Sequence, residues 1–290
     1  MLPNEDENRR RLVSRFAREF TLMSDLASLA LNLHEDLCHV DGPDLTANVK
    51  EFVVGTLTRD LRRFRSCVEL CSMGYPENAT ILTRSMFESL VAERFVIGTP
   101  IEANARSSDL AAALELLPPS PQGRAGEEFR SYLYRAMEPL RMVRLSESIG
   151  HESQLLQHTS TWTKVGEEIE KTIGSEWVKR LRKVRHYSGT SVRLCAENHQ
   201  LLEYYVKVYG LQSSQVHAED SFRYIACDDD DENSGMALIA GLVNGLELSL
   251  FNSGNMLGSL LHDLNGRFSL GYDHQLAELA LRIGTCVNAI

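Results

Sequence analysis

Apolar residues recur three or four positions apart along most of this chain, and that spacing restricts it to helices. From Asn8 to about His39 the repeat is Leu22, Leu26, Leu29, Leu33, Leu37. Gly42-Pro43-Asp44 interrupts it, because proline lacks the N–H that a helix interior needs. A second helix follows to about Gly74, with Val53, Leu57, Leu61, Phe64, Val68 and Cys71 on one side and Arg59, Arg62, Arg63 and Arg65 on the other. Gly74-Tyr75-Pro76-Glu77-Asn78 is a tight connection into a third helix, about Ala79 to Ile97. Residues 98–126 are irregular. They hold a short helix near Asp109 to Leu117 and an exposed loop at Leu117-Pro118-Pro119-Ser120-Pro121-Gln122-Gly123. Helical spacing resumes at Glu127 to Ile149, Thr163 to Ile173, Met236 to Leu264 and Asp273 to Val287. Strand alternation is confined to one candidate extended piece, Phe222 to Cys227. The expected fold is all-α: a multi-helix bundle of long antiparallel helices with a short irregular middle section. It reads as a single domain over residues 1–290, with the first three helices and the 236–264 helix forming its core.

Charge and composition exclude several classes of function. The formal net charge is −10, so RNA or DNA is not attracted by the overall field and any contact must use a local basic patch. The six cysteines show no metal-finger spacing; Cys67 and Cys71, four apart on one helix face, read as buried free thiols. The run Asp228-Asp229-Asp230-Asp231-Glu232 lacks the spacing of an oxygen cage for a divalent cation and reads as a solvated loop. No metal and no cofactor are expected. The polar N-terminus has no apolar signal region, and no apolar run approaches the ~20 residues of a membrane span. The expectation is a cytoplasmic protein with reduced cysteines and no membrane partner. The phosphate loop GxxxxGK[ST], the nucleophile elbow GxSxG, HExxH, CxxC and a GxGxxG after a strand are all missing, which argues against an NTPase, an α/β-hydrolase, a zinc protease and a dehydrogenase.

The run from His186 to His217 departs from ordinary core patterning. It opens on His186-Tyr187-Ser188-Gly189, and then places Leu202, Tyr205, Tyr209, Ser213 and His217 on one helical face. Hydroxyls and an imidazole stand there where Leu and Val would pack better. Together with Arg84-Ser85-Met86-Phe87-Glu88 on the third helix, the turn Tyr187-Ser188-Gly189, Tyr209, Ser213 and Val216-His217 resemble the bacterial family called domain of unknown function 5677, over roughly residues 50–225. The resemblance implies an architecture and no activity.

Arg84 and Glu88 share a stripe with Ile81, Val91 and Phe95. On a buried face that pair is costly to desolvate, so either a cleft or a buried network fixing helix register is expected there, with both residues mostly buried. His217 is either a helix-terminal residue packed on tyrosines or a proton donor and acceptor oriented by Ser213 and Tyr209 near Arg84. The second arrangement would give His217, Arg84, Glu88, Ser213 and Tyr209 catalytic roles in metal-independent phosphodiester cleavage, as in helical ribonucleases of the HEPN type, which place Arg and His four to six residues apart. No Arg lies at that distance upstream of His217, although Arg180 and His186, and Arg193 and His199, do fit the spacing. Arg180, Arg182, Arg185, His186, Tyr187 and Arg193 are the candidate substrate-binding residues. The stretch Lys179 to Arg185 is equally readable as a solvated helix face. Two functions remain: a ribonuclease or toxin or phage-defence effector acting on RNA, and a non-catalytic helical module that binds a small ligand, a partner protein or a second copy of itself.

Overall fold

Helical periodicity is realised as helices throughout the computed structural model, which describes residues 5–40, 46–98, 106–149, 153–210 and 245–287. In chain order these are α1 (Glu5–Arg15), α2 (Ala17–His39), α3 (Ala47–Met73), α4 (Pro76–Ile97), α5 (Ser108–Glu115), α6 (Gly123–Ile149), α7 (Ser153–Ile173), α8 (Ser175–Val184), α9 (Val192–Asn198) and α10 (Leu202–Tyr204). A π-helical turn, Tyr205–Gly210, follows, and then α11 (Leu246–Phe268) and α12 (Asp273–Val287). No strand occurs among the described residues. The candidate extended piece at Phe222 to Cys227, the Gly42-Pro43-Asp44 break and the first part of the 236–264 helix lie outside the described residues.

The helix expected from Asn8 to His39 is interrupted at Phe16, whose φ of −109° and ψ of 31° leave the helical region. The hydrogen-bond ladder nevertheless crosses the interruption, with Phe16 N donating to Leu12 O and Phe20 N to Phe16 O. The break is therefore a one-residue irregularity in a continuous run. Pro76, in the tight connection, opens α4 at the position where proline's missing N–H costs nothing.

The chain packs as two compact units. The first takes Met1–Val40, Val53–Leu90 and Glu203–Ile290. Its interior joins Leu22, Leu26 and Leu33 of α2 to Leu250, Leu257 and Leu261 of α11. Gly254 lets these two helices approach closely: a methyl group there would lie 3.1 Å from Met23 Sδ. Ser249 Oγ, buried on α11, donates to Pro76 O at 3.0 Å. Asp60, buried on α3, accepts from Arg63 Nη1 at 2.9 Å, and the same nitrogen reaches Ser89 Oγ of α4 at 2.9 Å.

The second unit takes Asp41–Phe52 and Val91–Leu202. Helices α6 and α7 form a long hairpin, and α8 packs on α7. Their shared core is Leu133, Met137 and Leu140 of α6, Ile173, and Trp177, Val178 and Leu181 of α8. Trp177 Nε1 donates to Pro119 O at 3.1 Å and so pins the proline-rich loop to this core. The start of α3 is tied to α6 by a polar cluster. Glu128 accepts from both Thr46 and Asn48, and Arg135 donates to Asn48 Oδ1 at 2.6 Å and Glu51 Oε2 at 2.8 Å.

Candidate functional site

The residues of the aromatic-Ser-Gly turn are held by backbone geometry before any chemistry is considered. Gly189 has φ +68°, and a Cβ there would stand 2.8 Å from Leu117 Cδ2 and 3.0 Å from Trp177 Cζ3. Only glycine meets both demands. Its carbonyl accepts from Arg180 Nε at 2.7 Å. Ser188 Oγ lies 2.7 Å from His186 Nδ1 and 2.8 Å from Thr190 Oγ1, closing a local chain of hydrogen bonds. Tyr187 stacks against Phe95, Tyr134 and His186, with ring centroids 5.3, 5.1 and 4.0 Å away. Burial, assisted by the positive charge of Arg141, pushes the His186 imidazole down to about 4, so it is neutral at pH 7.

Beside this turn the second unit forms a pocket of about 190 Å³. Its apolar lining residues are Leu110 and Leu114 of α5, Leu117, Leu133 of α6, Phe95 and Trp177. Its polar ones are Arg106, Arg130 of α6, Ser120 and Gln122 of the loop, and Ser188, Thr190, Asn198 and His199. No carboxylate is among the described residues lining it. Helix α5 is set in place by its N-cap, Ser107, whose hydroxyl accepts from Leu110 N at 3.2 Å. Ser191 caps α9 in the same way through Leu194 N. The far end of α9 is held by Arg94 Nη1, which donates to His199 O at 3.0 Å.

His199 is 5 % exposed, and its ring forms no hydrogen bond among the described residues. Phe95 lies edge-on to it, with ring centroids 6.4 Å apart. Burial, with Arg130 and Arg94 adding to it, holds the imidazole down at about 3. Arg130 gives Nε and Nη2 to Val96 O at 3.1 and 3.0 Å. Glu127 acts on it through space, but Arg130 forms no ion pair within 4 Å among the described residues. Burial lowers its pKa. Asn198 Oδ1 is buried without a hydrogen-bond partner. Cys195 also lines the pocket; burial pushes its thiol up to about 12, so it is not a nucleophile at neutral pH.

The predicted residues are distributed differently. Arg84 and Glu88 lie on the part of α4 that belongs to the first unit. Their expected burial is observed for Arg84 in the main and not for Glu88. The side chains are 24 % and 49 % exposed, and they face each other as an i,i+4 pair at 3.7 Å. The stripe they share with Ile81 is open to solvent at its start, since Ile81 is itself half exposed. Ser213 and His217 lie outside the described residues, and of Tyr209 only the backbone, in the π-helical turn, is described. Arg193 pairs with Asp109 at 3.2 Å and Glu197 at 3.8 Å. Arg182 and Arg185 are exposed on α8 and at its left-handed C-cap, and Trp177, Val178 and Leu181 form the buried face of that helix. Cys67 and Cys71 are buried free thiols, as expected, and no group of three metal-ligating side chains occurs among the described residues.

Arg106, Arg130 and Asn198 were not singled out from the sequence, and His199 entered only as the spacing partner of Arg193. The signal for Arg130 was present. It stands on the stripe of Leu133, Met137 and Leu140, an arginine where the apolar pattern calls for a hydrophobe. No described helix is long and apolar enough to cross a membrane. No curated protein and no solved structure matches the chain. Its residues 50–233 match the model of the family of unknown function DUF5677, which covers more than half of its length, and the chain belongs to that family.

Proposed function

We propose that the protein is a helical binding module whose second unit takes up a small ligand in the pocket between α5, α6, α8 and α9. The observation that carries this reading is a pocket of about 190 Å³ whose lining combines apolar side chains with several polar and cationic ones. Small-molecule sites have that composition: hydrophobic lining for affinity and a few placed polar groups for orientation. A void lined only by apolar side chains would be a packing defect, but this one has a buried imidazole and a guanidinium on its surface. Among the described residues, neither the His199 imidazole nor the Arg130 guanidinium forms an ion pair within 4 Å.

The ribonuclease reading rests on His217, Ser213 and Tyr209, and on an exposed basic face carrying Arg182, Lys183 and Arg185. The described histidines of the motif region do not strengthen it. His186 and His199 are both held neutral well below pH 7, out of the range where an imidazole exchanges protons efficiently. Arg180 braces Gly189, and Arg193 is occupied by two carboxylates.

One experiment separates the readings. The purified protein is screened by ligand-observed NMR against small fragments of all charge types, and is incubated in parallel with mixed cellular RNA, with and without EDTA, beside a His217→Ala variant. The expected result is saturable binding of fragments that compete for one site, with RNA left intact. RNA cleavage that the His217→Ala variant loses, with no fragment bound, would replace the binding reading by the ribonuclease one.

A further inference from the structure

We infer that Cys38 is a nucleophilic thiol, with His34 as its general base and Thr58 fixing that base, and that it is a site of covalent modification by small soft electrophiles. The site lies in the first unit, on α2 and α3, and is independent of the pocket.

The protons of this relay follow from its geometry. Thr58 Oγ1 lies 2.8 Å from Val54 O. A carbonyl has no proton to give, so Thr58 donates its one hydrogen there. The same Oγ1 lies 2.8 Å from His34 Nε2. With its hydrogen spent the hydroxyl accepts, and the proton in this bond belongs to Nε2. In a neutral imidazole the other nitrogen then carries the lone pair. Nδ1 faces Cys38 Sγ at 3.9 Å, within reach of a sulfur donor. One turn of α2 separates the two residues, and helix side chains lean toward the N-terminus, so the thiol is directed back toward the imidazole. A nucleophile, a base and a third group orienting the base make up the constellation that activates a cysteine.

Exposure separates Cys38 from the buried cysteines. It is partly exposed, whereas Cys67, Cys71 and Cys195 are buried and burial pushes their thiols up. Cys227 lies outside the described residues, and of Cys286 only the backbone is described. At Cys38 the step balances within the site. A sulfur electron pair forms the S–C bond as the bond from carbon to the leaving group breaks. The thiol proton passes to His34 Nδ1 and then to water, and the leaving group departs as an anion.

The test is alkylation of the folded protein by iodoacetamide at pH 7, followed over time by peptide mass spectrometry. Cys67, Cys71 and Cys195 are the internal control of folding, because they are labelled only where the chain opens. Without a base, a thiol of pKa about 8.5 is only about 3 % thiolate at pH 7, so full activation raises the rate by at most about 30-fold. The weaker nucleophilicity of a more acidic thiol offsets part of that gain. His34→Gln is therefore expected to slow the labelling of Cys38 by roughly 3–30-fold. Thr58→Val keeps the shape and removes the acceptor for Nε2–H, and should slow it by a smaller factor. The three buried thiols stay unlabelled throughout. Cys38 left unlabelled in the folded parent, or labelled at one rate in the parent and both variants, overturns the assignment. A variant whose buried thiols become labelled has opened, and the other variant then decides. If both open, the parent decides against N-acetylcysteine: faster labelling of Cys38 supports the activated thiol, and equal or slower labelling overturns it.

Discussion

At Gly189 a positive φ coincides with contact against Trp177 and Leu117, so the aromatic-Ser-Gly turn tolerates no side chain at its third position. Gly189→Ala is expected to destabilise the protein by about 1–3 kcal/mol, through strained backbone and overpacking together. Urea denaturation checks this, and a loss under about 0.5 kcal/mol would show that the turn relaxes freely. The pair Arg84 and Glu88 carries the opposite expectation. With Glu88 half exposed, solvent screens the interaction, and Arg84→Ala should cost less than about 1 kcal/mol in the same measurement. Arg84 and Arg130 look alike in the sequence, each a cation on an apolar stripe. Periodicity assigns a residue to a face, but only the neighbouring helix decides whether that face is covered at that level. Both arginines are partly exposed, but Arg84 faces Glu88 along its own helix, whereas Arg130 borders a pocket shared with α5, α8 and α9.

Among the elements, the joint between α11 and α12 shows how a connection is fixed by one buried side chain. Asn265 Oδ1 accepts from Tyr272 N at 2.8 Å, and its Nδ2 donates to Asp273 Oδ1 at 3.0 Å. Ser269 and Gly271 take left-handed conformations between them. Asn265→Leu leaves the Tyr272 N–H without this partner and should cost about 1–3 kcal/mol. Hydrogen exchange checks the location: faster exchange confined to the 269–276 region is expected, and unchanged exchange there would show that the joint is held by packing alone. Most of the long helices could be read from the sequence, and Gly74 and Pro76 mark the connection between α3 and α4, but α7 begins at Ser153 and not near Thr163, and the spacing set no bounds for α8. The interruption at Phe16 and the π-helical turn at Tyr205–Gly210 could not. Arg15-Phe16-Ala17 contains no breaker, and a π-turn shifts hydrogen bonds without changing composition.

For the whole molecule, the response to acid can be followed at three buried groups among the described residues. His186 and His199 titrate in the folded state at about 4 and about 3, below their ordinary value near 6.5. The unfolded chain therefore binds more protons as the pH drops below 6.5. The stability these neutral imidazoles carry is complete above that value and is lost as the pH falls toward 4 and 3. Asp60 works the other way. Burial, only partly offset by Arg63 and Arg59, lifts it from 3.8 to about 6, so its contribution is complete below 3.8 and is lost as the pH rises through 6. Between about pH 4 and 6 the aspartate thus offsets one of the two histidines. Asp60→Asn should make stability fall more steeply on acidification in that window, by up to about 1.4 kcal/mol per pH unit. Urea midpoints at pH 7, 6, 5 and 4.5 check it, and equal slopes for parent and variant would mean that Asp60 ionises normally in the fold.

The sequence by itself determined that the chain is helical, where most of the long helices run, that Cys67 and Cys71 are buried thiols, and that Tyr187-Ser188-Gly189 forms a fixed turn. All of these follow from local spacing, from the steric limits of glycine and proline, and from apolar patterning within one helix. The tertiary structure alone decided which polar residues on apolar stripes are left facing a cavity. The pocket is bounded by α5, α6, α8 and α9 together with the 117–122 loop, residues spread from Phe95 to His199. Its shape is what remains unfilled when those elements pack, and no one segment carries a record of that remainder. At that pocket burial lowers the pKa of both Arg130 and His199, an effect that no local pattern encodes.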